Sequence, residues 1–251
     1  MKAGRRLGVL GGTFDPIHLG HLAVAREAAG ALGLDEVRLV PSCTPPHRPI
    51  DPSASAFHRF AMVALAAAGD ERLAASDLEL ARPGPSYTAD TLRALGRTGL
   101  EGWQIFFLTG ADAFAEIATW REYPTVLDLA NFVVCSRAGV AASSLAIRLP
   151  GLAPRMVPVP FPGSEGPGLH ASAATGSPKT RVFLLDCDTP DVSSTDIRAR
   201  ARAGRPLAGL VPPEVDHHIR RHALYGADPG AAHGGRPAAG NLHGQAEERA
   251  R

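Results

Sequence analysis

One stretch of the chain decides its fold, and it reads Gly11-Gly12-Thr13-Phe14-Asp15-Pro16-Ile17-His18-Leu19-Gly20-His21. The apolar residues 7–10 precede it and are typical of a short buried strand. After it, leucines and alanines recur near the 3.6-residue period of a helix over residues 19–32. The stretch is therefore predicted to be a strand-to-helix turn. Its two glycines let the backbone bend sharply and let a phosphate approach the main-chain amides.

Outward from this turn, strands and helices alternate along the chain. Strands are predicted at residues 7–10, 37–40, 77–80, 105–108, 132–135 and 182–185. The last three are continuous apolar runs, which are typical of strands covered on both faces. Helical patterns occupy residues 19–32, 57–68, 88–95, 197–203 and 213–224. The alternation predicts an α/β fold: a Rossmann-like, doubly wound, mostly parallel sheet with helices on both faces. Ligands of such sheets bind outside the carboxyl ends of the strands.

We expect one domain over residues 1–226. Residues 138–179 are rich in Ala, Pro, Gly and Ser, which indicates an insertion between two strands, with a short helix near residues 144–149. Residues 227–251 hold few large apolar side chains, so a flexible tail is expected there.

Composition excludes several classes of protein. The formal net charge of +1 demands neither nucleic acid nor an anionic membrane as a partner. The sequence has no run of about 18 apolar residues, so no membrane span is expected. The three cysteines are widely spaced, which argues against a disulfide framework and a structural zinc site. A cytoplasmic protein with small-molecule partners is expected, and assembly into a homo-oligomer is left open.

The histidines of the turn suggest its chemistry. His18 and His21 are three residues apart, so both imidazoles lie on one face at the start of a helix, where the helix dipole favours anions. Donors aimed at a phosphate would stabilise charge that develops in a transition state. A metal pair and purely structural histidines are the alternatives, although the spacing is not that of a HEXXH zinc site.

A second polar cluster lies far along the chain, where residues 192–198 read Val-Ser-Ser-Thr-Asp-Ile-Arg. Hydroxyls at a helix start cap free amides, so an ordinary N-cap is one interpretation. Together with the histidine pair, Ser193, Thr195 and Arg198 would form a second phosphate clamp.

At this point the chain resembles a known family. The pair GGTFDPIHLGH and SSTDIR is the signature of the HxGH nucleotidylyltransferase superfamily, and within it the chain looks like the bacterial nicotinate-nucleotide adenylyltransferases. Further points of resemblance are Pro45-Pro46-His47, Asp77-Leu78-Glu79 with Ser86-Tyr87-Thr88, and Gly110-Ala111-Asp112 with Trp120. The family usually has Lys where this chain has Arg48, which keeps the charge but not its shape.

The resemblance implies transfer of AMP from ATP to nicotinate mononucleotide, with Mg²⁺ bound to the ATP and no metal ligands on the protein. It implies these roles: His18, His21 and Arg198 in catalysis; Gly11, Gly12, Thr13, Phe14, Asp112, Ser193 and Thr195 at ATP; Tyr87, Thr88, Trp120 and Arg48 at the nicotinate nucleotide. Trp120 could equally be a core aromatic.

Other functions stay open at this level. Nicotinamide mononucleotide or phosphopantetheine could be the acceptor within the same superfamily. A nucleotide-binding module without catalysis is a second class. An NAD-dependent oxidoreductase is a third, although the chain lacks the GxGxxG fingerprint.

Overall fold

The computed structural model describes residues 4–45, 52–82, 84–136, 141–159, 180–187 and 189–227. Arg48 lies outside these residues, as do the predicted tail beyond residue 227 and residues 138–140 and 160–179 of the predicted insertion.

A sheet of seven parallel strands forms the centre of the protein, in the order β3-β2-β1-β4-β5-β7-β6. The strands are β1 (Leu7–Gly12), β2 (Glu36–Pro41), β3 (Leu73–Ala75), β4 (Ile105–Gly110), β5 (Asn131–Cys135), β6 (Met156–Val159) and β7 (Val182–Leu185).

Helices connect the strands. They are α1 (Leu19–Leu32), α2 (Ala56–Ala67), α3 (Thr88–Gly96), α4 (Ala111–Ala115), α5 (Leu145–Arg148), α6 (Ser194–Arg202) and α7 (Pro213–Arg221). Short 3₁₀ helices occupy Gly102–Gln104, Ile117–Thr119, Thr125–Asp128, Ala142–Ser144, Pro150–Arg155 and Leu224–Gly226. The predicted helix over 19–32 has the bounds of α1, and the short helix expected near 144–149 is α5.

The order of the strands reverses at the centre of the sheet. From β1 the chain builds outward through β2 and β3, and it then returns to pair β4 on the other side of β1, with Leu10 opposite Leu108. Such a reversal leaves a crevice at the carboxyl ends of the two central strands. The predicted doubly wound fold is confirmed, and its crevice lies directly after Gly12.

Both faces of the sheet are buried, because neighbouring strand residues point to opposite sides. Leu10 and Leu108 belong to a core beneath α1, α2, α6 and α7, whereas Val9 and Phe107 belong to a second core beneath α3. Continuous apolar strands are the expected sequence pattern for a sheet covered in this way.

The prediction of a strand at residues 77–80 is wrong. Its alternation of polar and apolar residues resembled a half-buried strand, but residues 77–81 form turns, with the amide of Ala81 donating to the carbonyl of Asp77 at 3.0 Å. The strand in this part of the chain is instead β3, a few residues earlier, and its Leu73 pairs with Val37 of β2. Two of its three residues are alanines, which have low strand propensity.

The strand β6 within the expected insertion was not predicted. Pro158 lies inside it, and proline normally argues against a strand because it cannot donate to the hydrogen-bond ladder. As β6 is the last strand of the sheet, one of its edges has no ladder to complete. Among the helices of the described residues, none is long and apolar enough to cross a membrane.

Three histidines of α2 and α7 pack together on the surface. Nδ1 of His58 lies 3.1 Å from Nε2 of His218, and the ring centroids of His218 and His222 are 4.4 Å apart. Burial, together with the neighbouring charges of His222, His58 and His217, lowers the pKa of His218. The folded state therefore binds a proton here less readily than the unfolded chain, so acidification favours unfolding.

We expect the urea midpoint of unfolding to fall between about pH 8 and about pH 5.5, the range in which histidines titrate. His218→Gln removes the titrating group, so its midpoint should fall less over the same range. His217→Gln, at an exposed position of the same helix, removes only the smallest of the neighbouring charges and should flatten the slope less than His218→Gln does. Equal slopes in wild type and His218→Gln would contradict the assignment.

Candidate active site

A cleft of about 970 Å³ opens at the carboxyl ends of the central strands. Most of the residues singled out from the sequence line it. They are Gly11, Gly12, Thr13, His18, His21, Tyr87, Thr88, Asp112, Trp120 and Ser193. Side chains from β1, α1, α3, α4 and the segment before α6 therefore meet at one place, although they are spread over some 180 residues of chain.

The two histidines stack on each other at the start of α1. Their ring centroids are 3.7 Å apart and the planes differ by 26°. Nδ1 of His21 accepts the backbone N–H of His18 at 3.3 Å, so a neutral His21 ring carries its proton on Nε2. His18 is 3 % exposed and still lines the cleft. The pair thus presents ring nitrogens to the cleft from a fixed position.

Gly20 permits this stacking. A Cβ atom at this position would lie 3.1 Å from Nδ1 of His18 and 3.2 Å from the carbonyl oxygen of Pro190. Either contact is tighter than ordinary packing allows. The glycine therefore lets the His18 ring and the segment before α6 approach α1 together.

The ring of Phe14 is buried in the core and packs against the histidine pair. Its side chain is 2 % exposed, and its ring meets that of His21 edge-on with centroids 5.0 Å apart. Its backbone has a φ of 49°, an uncommon conformation for a bulky residue. Of the predicted ATP contacts, Phe14 could contribute only through its main chain, because its ring belongs to the core.

The second signature docks directly on the first. Ser193 caps α6 by accepting the amide of Asp196 at 3.1 Å, and the hydroxyl of Ser194 donates to the carbonyl of Pro16 at 2.9 Å. Arg198 donates to the carbonyl of Asp15 at 2.7 Å. The two sequence motifs are therefore parts of one structure.

The predicted phosphate clamp is only partly exposed to the cleft. Among the described residues that line the cleft, Ser193 is present but Thr195 and Arg198 are not. The guanidinium of Arg198 lies between the Asp15 carbonyl and the hydroxyl of Thr195, which accepts from it at 3.2 Å. Arg198 therefore holds the turn in place, whatever else it contacts when substrate is bound.

The far end of the cleft is aromatic and cationic. Trp120 packs edge-on against Phe107 and Phe132, with ring centroids 6.2 Å away in both cases, and also lines the cleft. Trp120 thus packs as a core aromatic and also lines the cleft, and its contact with the acceptor stays a prediction. Arg121 lies over the ring of Tyr87, with 4.6 Å from its guanidinium carbon to the ring centroid. A flat apolar surface and a positive charge meet here.

Sequence reasoning missed several lining residues, among them Ser42, Glu116, Arg121 and Asp191. Glu79 and Ser86, which also line the cleft, were points of resemblance to which no role was given. Ser42 is 7 % exposed, and its hydroxyl has no hydrogen-bond partner among the residues that the structure describes. Buried hydroxyls are nearly always paired, so this oxygen is suited to a ligand in the cleft. Its position directly after β2 was the available signal, because parallel strands end at the same rim.

Comparisons with known proteins agree on one family. The model of the cytidylyltransferase-like family matches residues 9–200. The chain is 41 % identical over 228 residues to a probable nicotinate-nucleotide adenylyltransferase of Desulfatibacillum aliphaticivorans, covering 88 % of this chain and 99 % of that protein. A relative of the same name from Roseiflexus sp. (strain RS-1) is 40 % identical over 219 residues, covering 87 % and 97 %.

Solved structures support the fold. The Plasmodium falciparum nicotinic acid mononucleotide adenylyltransferase complexed with NaAD superposes with a TM-score of 0.64 at 15 % identity, covering 90 % of this chain and 99 % of that one. A putative nicotinate-nucleotide adenylyltransferase of Vibrio parahaemolyticus gives a TM-score of 0.51 at 18 % identity, covering 88 % and 95 %.

The buried Arg59 of α2 holds together the loops around the cleft, and this role can be tested. Its guanidinium donates to the carbonyls of Thr13, Cys43 and Ala54, at 2.7, 3.1 and 3.2 Å. Lysine cannot reproduce this planar fork. Arg59→Lys should lower the free energy of unfolding by about 2–4 kcal/mol because buried carbonyls lose their donors.

Urea unfolding measures this change. Arg97→Lys, at the exposed end of α3, is the control and should change the free energy of unfolding by less than about 0.5 kcal/mol. Equal stabilities of the two variants would show that Arg59 does not hold the loops.

Proposed function

Since the chain belongs to the cytidylyltransferase-like family and, within it, to the nicotinate-nucleotide adenylyltransferases, we propose how its cleft divides between the two substrates. The chain transfers AMP from ATP to nicotinate mononucleotide, which gives deamido-NAD and pyrophosphate. The observation that carries the proposal is the stacked His18–His21 pair, which lines the cleft beside the glycine turn and Ser193.

This end of the cleft is suited to the triphosphate. The Nε2 proton of His21 and the His18 ring provide donors toward phosphate oxygens, and the start of α1 adds the favourable end of its dipole. Backbone amides of the glycine turn contact the nucleotide. Asp112, at the start of α4, accepts hydrogen bonds from ribose hydroxyls. Ser193 and Thr195 contact the outer phosphates, and Arg198 fixes the turn on which the histidines depend.

The aromatic end is suited to the acceptor. Trp120 offers a flat face to the pyridine ring. The pyridine carboxylate lies at the amides that begin α3, near Tyr87 and Thr88, with Arg121 providing positive charge nearby. A carboxylate accepts hydrogen bonds from amides, whereas a carboxamide would also present N–H donors to them. Arg48 is proposed to bind the acceptor phosphate, on resemblance alone.

Transfer needs no general base. The acceptor is a phosphate monoester with a second pKa of about 6, so an oxygen is already ionised at neutral pH. This oxygen bonds to the α-phosphorus of ATP in line with the departing pyrophosphate, as the bond from the α-phosphorus to its bridging oxygen breaks. The histidines hold the reacting oxygens and stabilise the charge that develops on them.

Nucleotidyltransferases generally work with a divalent metal, and we propose Mg²⁺. Within the residues that the structure describes, no group of three or more His, Cys, Asp or Glu side chains could hold a metal ion. Mg²⁺ would arrive with ATP, since the ion keeps several waters and binds phosphate oxygens with few protein ligands. When bound, it neutralises charge on the triphosphate. Asp112 and Glu116 are the carboxylates of α4 and its C-cap that line the cleft.

His18→Ala should lower kcat at least about 10²-fold, because a donor to the transition state is lost. Pyrophosphate release from ATP and nicotinate mononucleotide measures this directly. His217→Ala, on an exposed position of α7, is the control and should keep wild-type kcat. A change below about threefold in a folded His18→Ala protein would contradict the mechanism.

The acceptor is tested by comparing acid with amide. We expect kcat/KM for nicotinate mononucleotide to exceed that for nicotinamide mononucleotide by about tenfold or more, because the amide mispairs its N–H donors. Phosphopantetheine should give no pyrophosphate. Equal or higher kcat/KM on the amide would overturn the choice of acceptor.

A further inference from the structure

Glu79 is a buried carboxylate in the wall of the cleft. It is 6 % exposed, lies in the turn that follows β3, and lines the cleft together with Ser86, Tyr87 and Thr88. Burying a carboxylate is costly unless other groups satisfy it, so its contacts require a reason.

One hydroxyl group donates to this carboxylate and a second stabilises its charge. The hydroxyl of Thr91 in α3 donates to Oε1 of Glu79 at 2.5 Å and accepts from Arg82 at 3.1 Å. The hydroxyl of Ser86 accepts the amide of Cys43 at 3.0 Å and acts to lower the pKa of Glu79. Thr91 thus links Glu79 to α3, and Ser86 links the loop after β2 to the segment before α3.

These bonds join two loops at the acceptor end of the cleft. Ser86 donates its amide to the carbonyl of Thr44 at 3.0 Å, and Thr44 pairs with Pro85 as an isolated parallel bridge. The loop after β2 and the segment before α3 are therefore bound to each other, and Thr91 binds Glu79 to the helix that follows. Tyr87 and Thr88, the next two residues, have their positions set by this junction.

The arrangement requires an acceptor at Oε1 of Glu79. A carboxylate accepts at both oxygens, whereas a carboxylic acid must present one O–H as a donor. Burial raises the pKa of Glu79, while the hydroxyls of Thr91 and Ser86 and the charge of Arg82 act in the opposite direction. The effect of burial is the larger, so the pKa of Glu79 is raised and the carboxylate becomes protonated at a pH closer to neutral than an exposed glutamate does.

We propose that the ionised carboxylate of Glu79 is a positioning residue for the acceptor nucleotide, acting through Ser86 and Thr91 on the segment Ser86–Thr88. This inference rests on the proposed function, since it takes nicotinate mononucleotide as the acceptor. Glu79 acts only on the shape of the acceptor end. The phosphate end, formed by the histidine pair and the glycine turn, does not depend on it.

Glu79→Gln tests the carboxylate. The amide keeps one oxygen that can accept and replaces the other with an NH₂ group that can only donate. We expect KM for nicotinate mononucleotide to rise about tenfold, the effect of about one lost hydrogen bond. Because the histidines and the glycine turn are not part of the network, kcat and KM for ATP should stay within about threefold of wild type. Calorimetric titration with nicotinate mononucleotide should show the same weakening.

Thr91 supplies a matched pair of variants that cannot touch substrate. Its side chain is fully buried, and it is not among the described residues that line the cleft. Thr91→Val removes the hydroxyl but keeps the shape, so it should raise KM for nicotinate mononucleotide as Glu79→Gln does. Thr91→Ser keeps the hydroxyl and should restore a KM near that of wild type.

The pH profile separates positioning from general destabilisation. As pH falls, Glu79 gains a proton and one hydroxyl loses its acceptor, so KM for nicotinate mononucleotide should rise. The acceptor phosphate titrates in a similar range but does so equally in Glu79→Gln. The ratio of the KM of Glu79→Gln to that of wild type should therefore shrink toward one at acidic pH.

The results of these experiments distinguish failure of the proposed function from failure of the role of Glu79. A wild-type enzyme that does not transfer AMP to nicotinate mononucleotide would refute the proposed function. Wild-type transfer with an unchanged KM in Glu79→Gln and Thr91→Val would refute only the role of Glu79, even if both variants melted at lower temperature. Should Glu79→Gln not fold, the Thr91 pair decides, and equal KM values for Thr91→Val and Thr91→Ser would refute the inference.

Discussion

The site depends on one buried carboxylate, that of Asp15. It is 3 % exposed and accepts the amides of Ser53 and Ala54 at 2.8 and 3.1 Å and the hydroxyl of Tyr225 at 2.9 Å. Burial, and the negative charge beside it, raise the pKa of Tyr225, so the hydroxyl keeps its proton and donates. Arg198 binds the Asp15 carbonyl and lies 3.9 Å from its carboxylate. Four segments distant in sequence thereby meet at the glycine turn.

This network explains why the histidine pair can be rigid at the rim of a sheet. Strand β1 ends at Gly12, and nothing in a strand-to-helix turn by itself fixes the direction in which α1 leaves. Asp15 and Arg59 bind that turn to the loop before α2 and, through Arg198, to α6. Fully satisfied buried polar networks specify one arrangement, since each lost partner leaves a costly unpaired group. Transition-state stabilisation by preorganised donors requires such rigidity.

A second network, that of Glu79, does the same work at the other end of the cleft. Asp15 binds the segments around the histidine pair, and Glu79 binds α3 at the aromatic end of the cleft. In both places a buried acid takes hydrogen bonds from a segment outside its own turn. A parallel sheet brings its loops to one rim but does not lock them together, so polar contacts between the loops must complete the site.

The regular elements near the turn were predictable because their cause is local. Residues 19–32 follow a helical period and form α1, and the covered strands show their burial as apolar runs. The errors arose where tertiary context outweighed local pattern. Residues 77–80 alternate like a strand, yet the buried member of that alternation is Glu79, which the fold satisfies through α3. Pro158 obscured an edge strand that needs only one ladder.

The sequence by itself determined the α/β class, the strand-to-helix turn and the placing of two imidazoles on one helical face, because period and spacing act within a few residues. The resemblance of Gly11–His21 and Ser193–Arg198 to one superfamily was also readable from the sequence alone. Only the tertiary structure decided that Arg198 binds the carbonyl of Asp15 and that Arg121 lies over Tyr87. These contacts join residues far apart in the chain, and their energies depend on burial and distance that no local pattern records.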